Sequence, residues 1–202
     1  MSSTIANNFE LNKGDQFIVA LDISGSMQMK DCPGNASRFS YVLETMEVFI
    51  SEASKWDPDG VSFYAFNNEV QEFPDVASTE ALHETIGRLR PGGGTATHRA
   101  ISAAYREHKL KGSEQTFLLL FTDGEPSDRQ AVKQAIVDIT NDVKDEKEFR
   151  ICILTVGART PELSAWLSDL DDNLTEAKYD IVDIEKLEDV DFERAVANAI
   201  EG

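Results

Sequence analysis

The chain has 202 residues, of which 41% are hydrophobic and 28% charged, with 12 Gly and 6 Pro. That length suits one large α/β domain able to bury about 70% of the surface its unfolded chain exposes, and the composition excludes disordered, collagen-like and membrane-spanning chains. Lys and Arg total 19 against 37 Asp and Glu, a net charge of −18, which argues against binding a phosphate backbone and suits cations and basic partners.

The first fourteen residues carry neither a basic start nor an apolar core, so they read as a mobile extension (1–14) ahead of a domain at 15–202 rather than as a secretory signal. QFIVALD, ending at Asp22, is the first β-rich apolar run, and SRFSYVLETMEVFISEASKW follows it. In that second segment Phe39, Val42, Leu43, Met46, Phe49, Ile50 and Ala53 recur at steps of three and four, which predicts an amphipathic helix capped by Ser37. GVSFYAF, ending at Phe66, predicts a second strand; the two-residue polar turn Asn67-Asn68 then leads into EVQEF. Pro74, Glu69 and Glu72 suit an exposed edge strand there.

TEALHETIGRL and ATHRAISAAYREHKL predict helices on either side of the breaker Pro91-Gly92-Gly93-Gly94. QTFLLLFTD, ending at Asp123, and FRICILTVG, ending at Gly157, are further strands with the continuous apolar character of burial on both faces. Between them lies a helix in DRQAVKQAIVDITNDVKD, capped by Asp128. ELSAWLSDL and FERAVANAI predict two more helices around a last strand, YDIVDI. From 161 to 202 there are 13 Asp or Glu against 3 Lys or Arg, the mark of a solvated acidic face. The pattern predicts a Rossmann-like, doubly wound α/β fold: a mostly parallel sheet of six strands with one antiparallel edge strand, and about six helices on both faces.

Cys32 lies in a loop-like stretch and Cys152 in an apolar run, neither with a CxxC neighbour, so both are expected as reduced structural thiols. Together with the N-terminal reading this points to a cytoplasmic chain. His83, His98 and His108 fall on helical stretches with no nucleophile motif, and no GxSxG surrounds any serine. His98 stands out only for its place three residues after Thr95. Trp56 and Trp166 read as helix-end residues packing on the core.

The chemistry concentrates where strands end. Asp22-Ile23-Ser24-Gly25-Ser26 closes the first strand, and ligand sites in open α/β sheets gather at such carboxyl ends. One carboxylate and two hydroxyls at alternate positions can aim three oxygens into one space, with Gly25 easing the turn. Gly92-Gly93-Gly94-Thr95-Ala96-Thr97 and Thr122-Asp123-Gly124-Glu125-Pro126 would reach the same edge. Two carboxylates with three hydroxyls form an all-oxygen set suited to a hard cation such as Mg2+, with an exchangeable position left over. The triple glycine lacks the GxxxxGK[ST] spacing of a phosphate cradle.

DISGS, GGGT and FTDG in that order resemble the metal-ion-dependent adhesion site of von Willebrand factor A domains, the family that includes the inserted domains of integrins. The resemblance runs from about Gln16 to Ile200, and Met27, Pro126 and Asp128 add a likeness to bacterial stand-alone members grouped with tellurite-resistance proteins. It implies that Ser24, Ser26 and Thr95 bind Mg2+ (Mn2+ or Ca2+ as substitutes) directly while Asp22 and Asp123 hold it through water. Thr97 stands as the alternative to Thr95, which the glycines directly precede. Neutral hydroxyl ligands would leave the ion hungry for a carboxylate, so the implied function is non-enzymatic binding of a protein partner through its Glu or Asp. Lys30 and Asp31 of the long first loop would join the rim, and FERAVANAI stands where switching members of the family carry a mobile last helix. No nucleic acid or membrane partner is expected. Two other functions compete with this one. A Mg2+-dependent phosphohydrolase would use Asp22 as nucleophile, but Ser24 stands where such enzymes carry a second Asp for proton transfer. A scaffold for an ATPase or stress-response complex would use the metal only to stabilise the fold.

Overall fold

The computed structural model describes residues 15–53, 61–76 and 78–190. Four runs of continuous apolar sequence become the strands β1 (Gln16–Asp22), β2 (Val61–Phe66), β4 (Thr116–Thr122) and β5 (Phe149–Thr155), with β3 (Val70–Val76) and β6 (Val182–Lys186) at the edges. The order across the sheet is β3-β2-β1-β4-β5-β6. All neighbours are parallel except β2 and β3. The chain therefore leaves β1 toward one edge, returns, and continues from β4 toward the other, which puts the point of reversal between the carboxyl ends of β1 and β4.

Helices cover both faces: α1 (Arg38–Ala53) and α2 (Thr79–Ile86) on one, α3 (Thr97–Lys111), α4 (Arg129–Asp142) and α5 (Pro161–Asp172) on the other. Alternation along each strand divides the core. Val19, Leu21, Phe63, Leu119, Phe121 and Leu154 meet Val42, Met46 and Ile50 of α1. Ile18, Ala20, Leu118, Leu120, Ile151 and Ile153 meet Ile101, Val132 and Ile136. Each fully buried side chain of this size contributes about 1.5–3 kcal/mol of hydrophobic stabilisation, so the strand ends are fixed mainly by strand and helix side chains, which Ile23 and Met27 of the turn after β1 join.

Several expectations shift in detail. The Ser37 and Asp128 caps are present, each hydroxyl or carboxylate accepting from the backbone three residues on, at 3.0 and 2.9 Å. The hairpin turn has three residues, not two: Phe66 pairs with Val70, and Asn67 N–H donates to the Glu69 carbonyl. Pro74 lies where the β2–β3 register shifts, a place where a missing N–H breaks no regular ladder. Trp166 sits within α5 rather than at its end, under the Arg129 guanidinium at 5.2 Å. Five α-helices are described; FERAVANAI, Trp56 and the 1–14 extension lie outside the described residues. Both cysteines are buried and free. His108 is a packing residue, 2% exposed and bonded to Thr116 and Glu148, while His83 is exposed beside Glu47.

The acidic face is concrete at α5 and β6. Burial, then Asp172, Asp183 and Asp180, push the Asp171 carboxyl up from 3.8 to about 7. A folded-state value above the unfolded one means that stability falls as pH rises from about 4 toward 7. Asp171→Asn keeps the oxygen that accepts from Ile184 N–H at 3.0 Å while removing the charge. The expected result is a variant that melts higher than the parent chain at pH 8 and equally at pH 4, read by thermal denaturation across that range.

Candidate metal centre

Three loops meet above the carboxyl ends of β1 and β4. Asp22, the last residue of β1, is fully buried. Its Oδ1 accepts from Ser24 N–H at 2.7 Å and its Oδ2 from the Thr122 hydroxyl at 2.7 Å, so its carboxylate spans the two central strands. Burial outweighs those hydrogen bonds and raises its pKa from 3.8 to about 6, with a smaller push from Asp123. Among the described residues no basic side chain reaches Asp22. The backbone then turns through a short 3-10 segment, Gly25–Gln28, which brings the Ser24 and Ser26 hydroxyl oxygens 3.0 Å apart. Ser24 is 1% exposed, whereas Ser26 is partly open to solvent.

The glycine loop is stitched to this turn by backbone bonds. Gly25 N–H donates to the Gly93 carbonyl at 3.2 Å and Gly92 N–H to the Ile23 carbonyl at 2.7 Å. Within this loop the absence of a side chain matters most at Gly94: a Cβ there would lie 2.7 Å from Asn68 Oδ1 and 2.9 Å from Ser127 Oγ. Gly25, expected to ease the turn, has no positive φ, and a Cβ on it would make only ordinary contact. Thr95 is 6% exposed and ties the glycine loop to the loop after β4. Its N–H donates to Ser127 Oγ and its carbonyl accepts from Ser127 N–H, both at 2.9 Å. Thr97, also buried, is the first residue of α3. His98 follows it, with a buried Nδ1 that has no partner among the described residues.

Asp123 follows β4 directly and is 4% exposed. Its Oδ1 accepts from Glu125 N–H at 3.3 Å, and its Oδ2 from Arg38 Nη1 at 2.9 Å. The same guanidinium grips Asp31, with Nε to Oδ1 at 2.9 Å and Nη2 to Oδ2 at 2.6 Å. That double contact holds the Asp31 carboxyl below its ordinary value. Asp31 is thus bound to Arg38 while staying exposed on the rim, beside Met29 (51% exposed) and Lys30, which face solvent.

The predicted Asp22, Ser24 and Ser26 share one turn, Asp123 adjoins it through the neighbouring strand end, and Thr95 reaches it through the glycine loop. Sequence reasoning placed Thr122 at this edge without giving it a partner, and missed Arg38, Ser127 and the Asn67-Asn68 pair as parts of it. Asn67 Nδ2 donates to the Gly92 carbonyl at 2.9 Å, and Asn68 Oδ1 accepts from Gly94 N–H at 3.0 Å. One signal for Arg38 was available: it opens α1, where the helix dipole disfavours a cation, so a partner was needed. Among the described residues no group of three or more His, Cys, Asp or Glu is placed to hold a metal. Any ion here would depend on hydroxyl oxygens, and the buried, base-free Asp22 beside paired serines fits a hard cation.

A family model for the von Willebrand factor type A domain matches residues 17–192, inside the span expected for the domain. Among solved structures, the chain is similar to an aerotolerance-related membrane protein from Bacteroides fragilis, at 18% identity and a TM-score of 0.57, covering 93% of this chain and 99% of that one. It is similar to the manganese-loaded TRAP protein of Plasmodium vivax, at 13% identity and 0.64, covering 93% and 73%. It also resembles the PilB minor pilin of Streptococcus sanguinis, at 13% and 0.63, covering 96% of this chain but only 61% of that one. At such identities the likeness is one of fold. A search of curated protein sequences returns no significant match. Among the described residues no helix is long and apolar enough to cross a membrane.

Proposed function

The chain belongs to the von Willebrand factor type A family, and from that premise we propose that it is a non-enzymatic, metal-dependent protein-interaction domain. In this reading residues 15–202 form the domain, and Mg2+ is held by Ser24, Ser26 and Thr95 directly and by Asp22 and Asp123 through water. Mn2+ and Ca2+ are substitutes, and the manganese named for the Plasmodium protein supports the choice of a divalent ion. The observation that carries the proposal is the buried Asp22 carboxylate: it has hydrogen bonds but, among the described residues, no base, the Ser24 and Ser26 hydroxyls stand 3.0 Å apart two and four residues on, and an uncompensated buried charge calls for a cation.

When bound, the ion would supply a positive centre to which a partner's Glu or Asp can bind. This chain's residues divide the rest of the work. Asp22 orients the turn by accepting from Ser24 N–H, Ser127 fixes Thr95 by two bonds, and Arg38 fixes Asp123. The −18 charge opposes distant approach of an acidic surface, so the fitting partner offers one local acid on a neutral or basic face. No observation favours the hydrolase reading, for which Ser24 stands where a second Asp is needed.

A crystal structure grown with Mg2+ tests the proposal. The expected result is an ion on Ser24, Ser26 and Thr95 Oγ atoms, with its outward position on water or on a neighbouring molecule's carboxylate. An ion bound elsewhere, or none at tens of millimolar Mg2+, overturns it, and an ion on Thr97 transfers the role. Thr95→Ala is expected to abolish any EDTA-sensitive partner binding, as measured by pull-down with and without the chelator.

A further inference from the structure

Arg38 holds no metal in the reading above, yet it is bonded to one of the metal's proposed ligands. Its side chain is 7% exposed, at the first turn of a helix with no acidic residue there to offset the dipole. What holds it is a set of three charge-assisted bonds to two carboxylates. The guanidinium is planar, so fixing Nε and Nη2 on Asp31 also fixes where Nη1 points. Asp31 is steadied in turn by Ala158 N–H, which donates to its Oδ2 at 3.3 Å, and Gly157 leaves the room the arginine fills. Nη1 then meets Asp123 Oδ2. With Oδ1 taken by Glu125 N–H, both Asp123 oxygens are already engaged.

We propose that Arg38 is a positioning residue that keeps the Asp123 carboxylate out of direct contact with the metal, and so keeps one coordination position free for a partner's acid group. The proposal rests on the metal reading above and adds to it the reason Asp123 stays at a distance. A carboxylate free to ligate would partly neutralise the ion and occupy the place a partner needs. Asp123 can do so only by giving up its bond to an arginine that the Asp31 clasp does not let follow.

Mn2+ is the probe, with the full chain. Free Mn2+ is counted by its paramagnetic resonance signal, and water molecules on the bound ion by water-proton relaxation. In Arg38→Met the expected result is one fewer water on bound Mn2+ and affinity higher by about three- to tenfold, since a like charge has been removed from a partly buried site. Arg38→Lys keeps the charge but, with a single ammonium, cannot hold both carboxylates. It is expected to lose the same water with a smaller gain in affinity. Either variant, if its circular dichroism melt shows it folded, overturns the proposal by retaining the parent water count; should Arg38→Met not fold, Arg38→Lys decides. A parent chain that takes up no Mn2+ overturns the metal reading itself, and this proposal with it, whereas uptake with unchanged water in the variants overturns only the role of Arg38.

Discussion

Asp22→Ala and Ser26→Ala are expected to bind Mg2+ at least about 10- to 100-fold more weakly than the parent chain in titration calorimetry, the usual cost of removing a group that holds or orients a metal. Both should keep the fold, because neither side chain belongs to the hydrophobic clusters on either face of the sheet. Asp22→Ala leaves Ser24 N–H and Thr122 Oγ1 without their acceptor, costing about 1–3 kcal/mol. It also removes a buried charge. The rise of the Asp22 carboxyl from 3.8 to about 6 corresponds to about 3 kcal/mol lost by the metal-free chain at pH 7.5. The folded value lies above the unfolded one, so this loss grows as pH climbs from about 4 to about 6 and is complete above that. Asp22→Asn keeps an acceptor and sheds the charge. Without metal it is expected to melt above the parent chain at pH 7.5, while saturating Mg2+ raises only the parent, by about 2.7 kcal/mol at a hundredfold excess over Kd. Unchanged Mg2+ binding in both Asp22→Ala and Ser26→Ala would remove the site assignment.

Gly157→Ala should be among the most damaging small substitutions in the molecule. Gly157 has φ +81°, a conformation that costs an L-residue about 1–2 kcal/mol. An added Cβ would also stand 2.8 Å from Arg38 Cζ and press on Nε. The arginine has to move, and moving it opens a buried ion pair, a change worth about 3–5 kcal/mol when one partner is lost outright. A total of about 3–5 kcal/mol is expected from urea unfolding. In an Arg38→Met background the clash disappears, and the same glycine substitution is expected to cost only the conformational part. Equal costs in both backgrounds would show that the two residues act independently.

The doubly wound sheet was legible because four strands are buried on both faces and so carry uninterrupted apolar runs, while Met46, Ile50 and their neighbours repeat at helical spacing. The edge hairpin was legible from Pro74 and the flanking charges, but its turn length was not, since Glu69 pairs through its backbone and leaves no side-chain signature. Asp22, Ser24, Ser26, Thr95 and Asp123 could be picked out because strand ends and glycines mark loops that meet at one edge. Arg38 and Ser127 could not. Their partners lie across 85 and 32 residues of sequence, so the place of Arg38 at the start of α1 signals a need for some partner but not which one. Asn67 and Asn68 were seen as turn formers, although their amide groups also bond to the glycine loop.

The backbone bonds that join the turn after β1, the glycine loop, the hairpin and the loop after β4 need no ion to form. A cation bound there as proposed would arrive at a seat already built, with little chain entropy spent on its arrival. Occupancy would then follow the free concentration of the ion and the ease with which it sheds water, with no rearrangement of the fold needed to admit it.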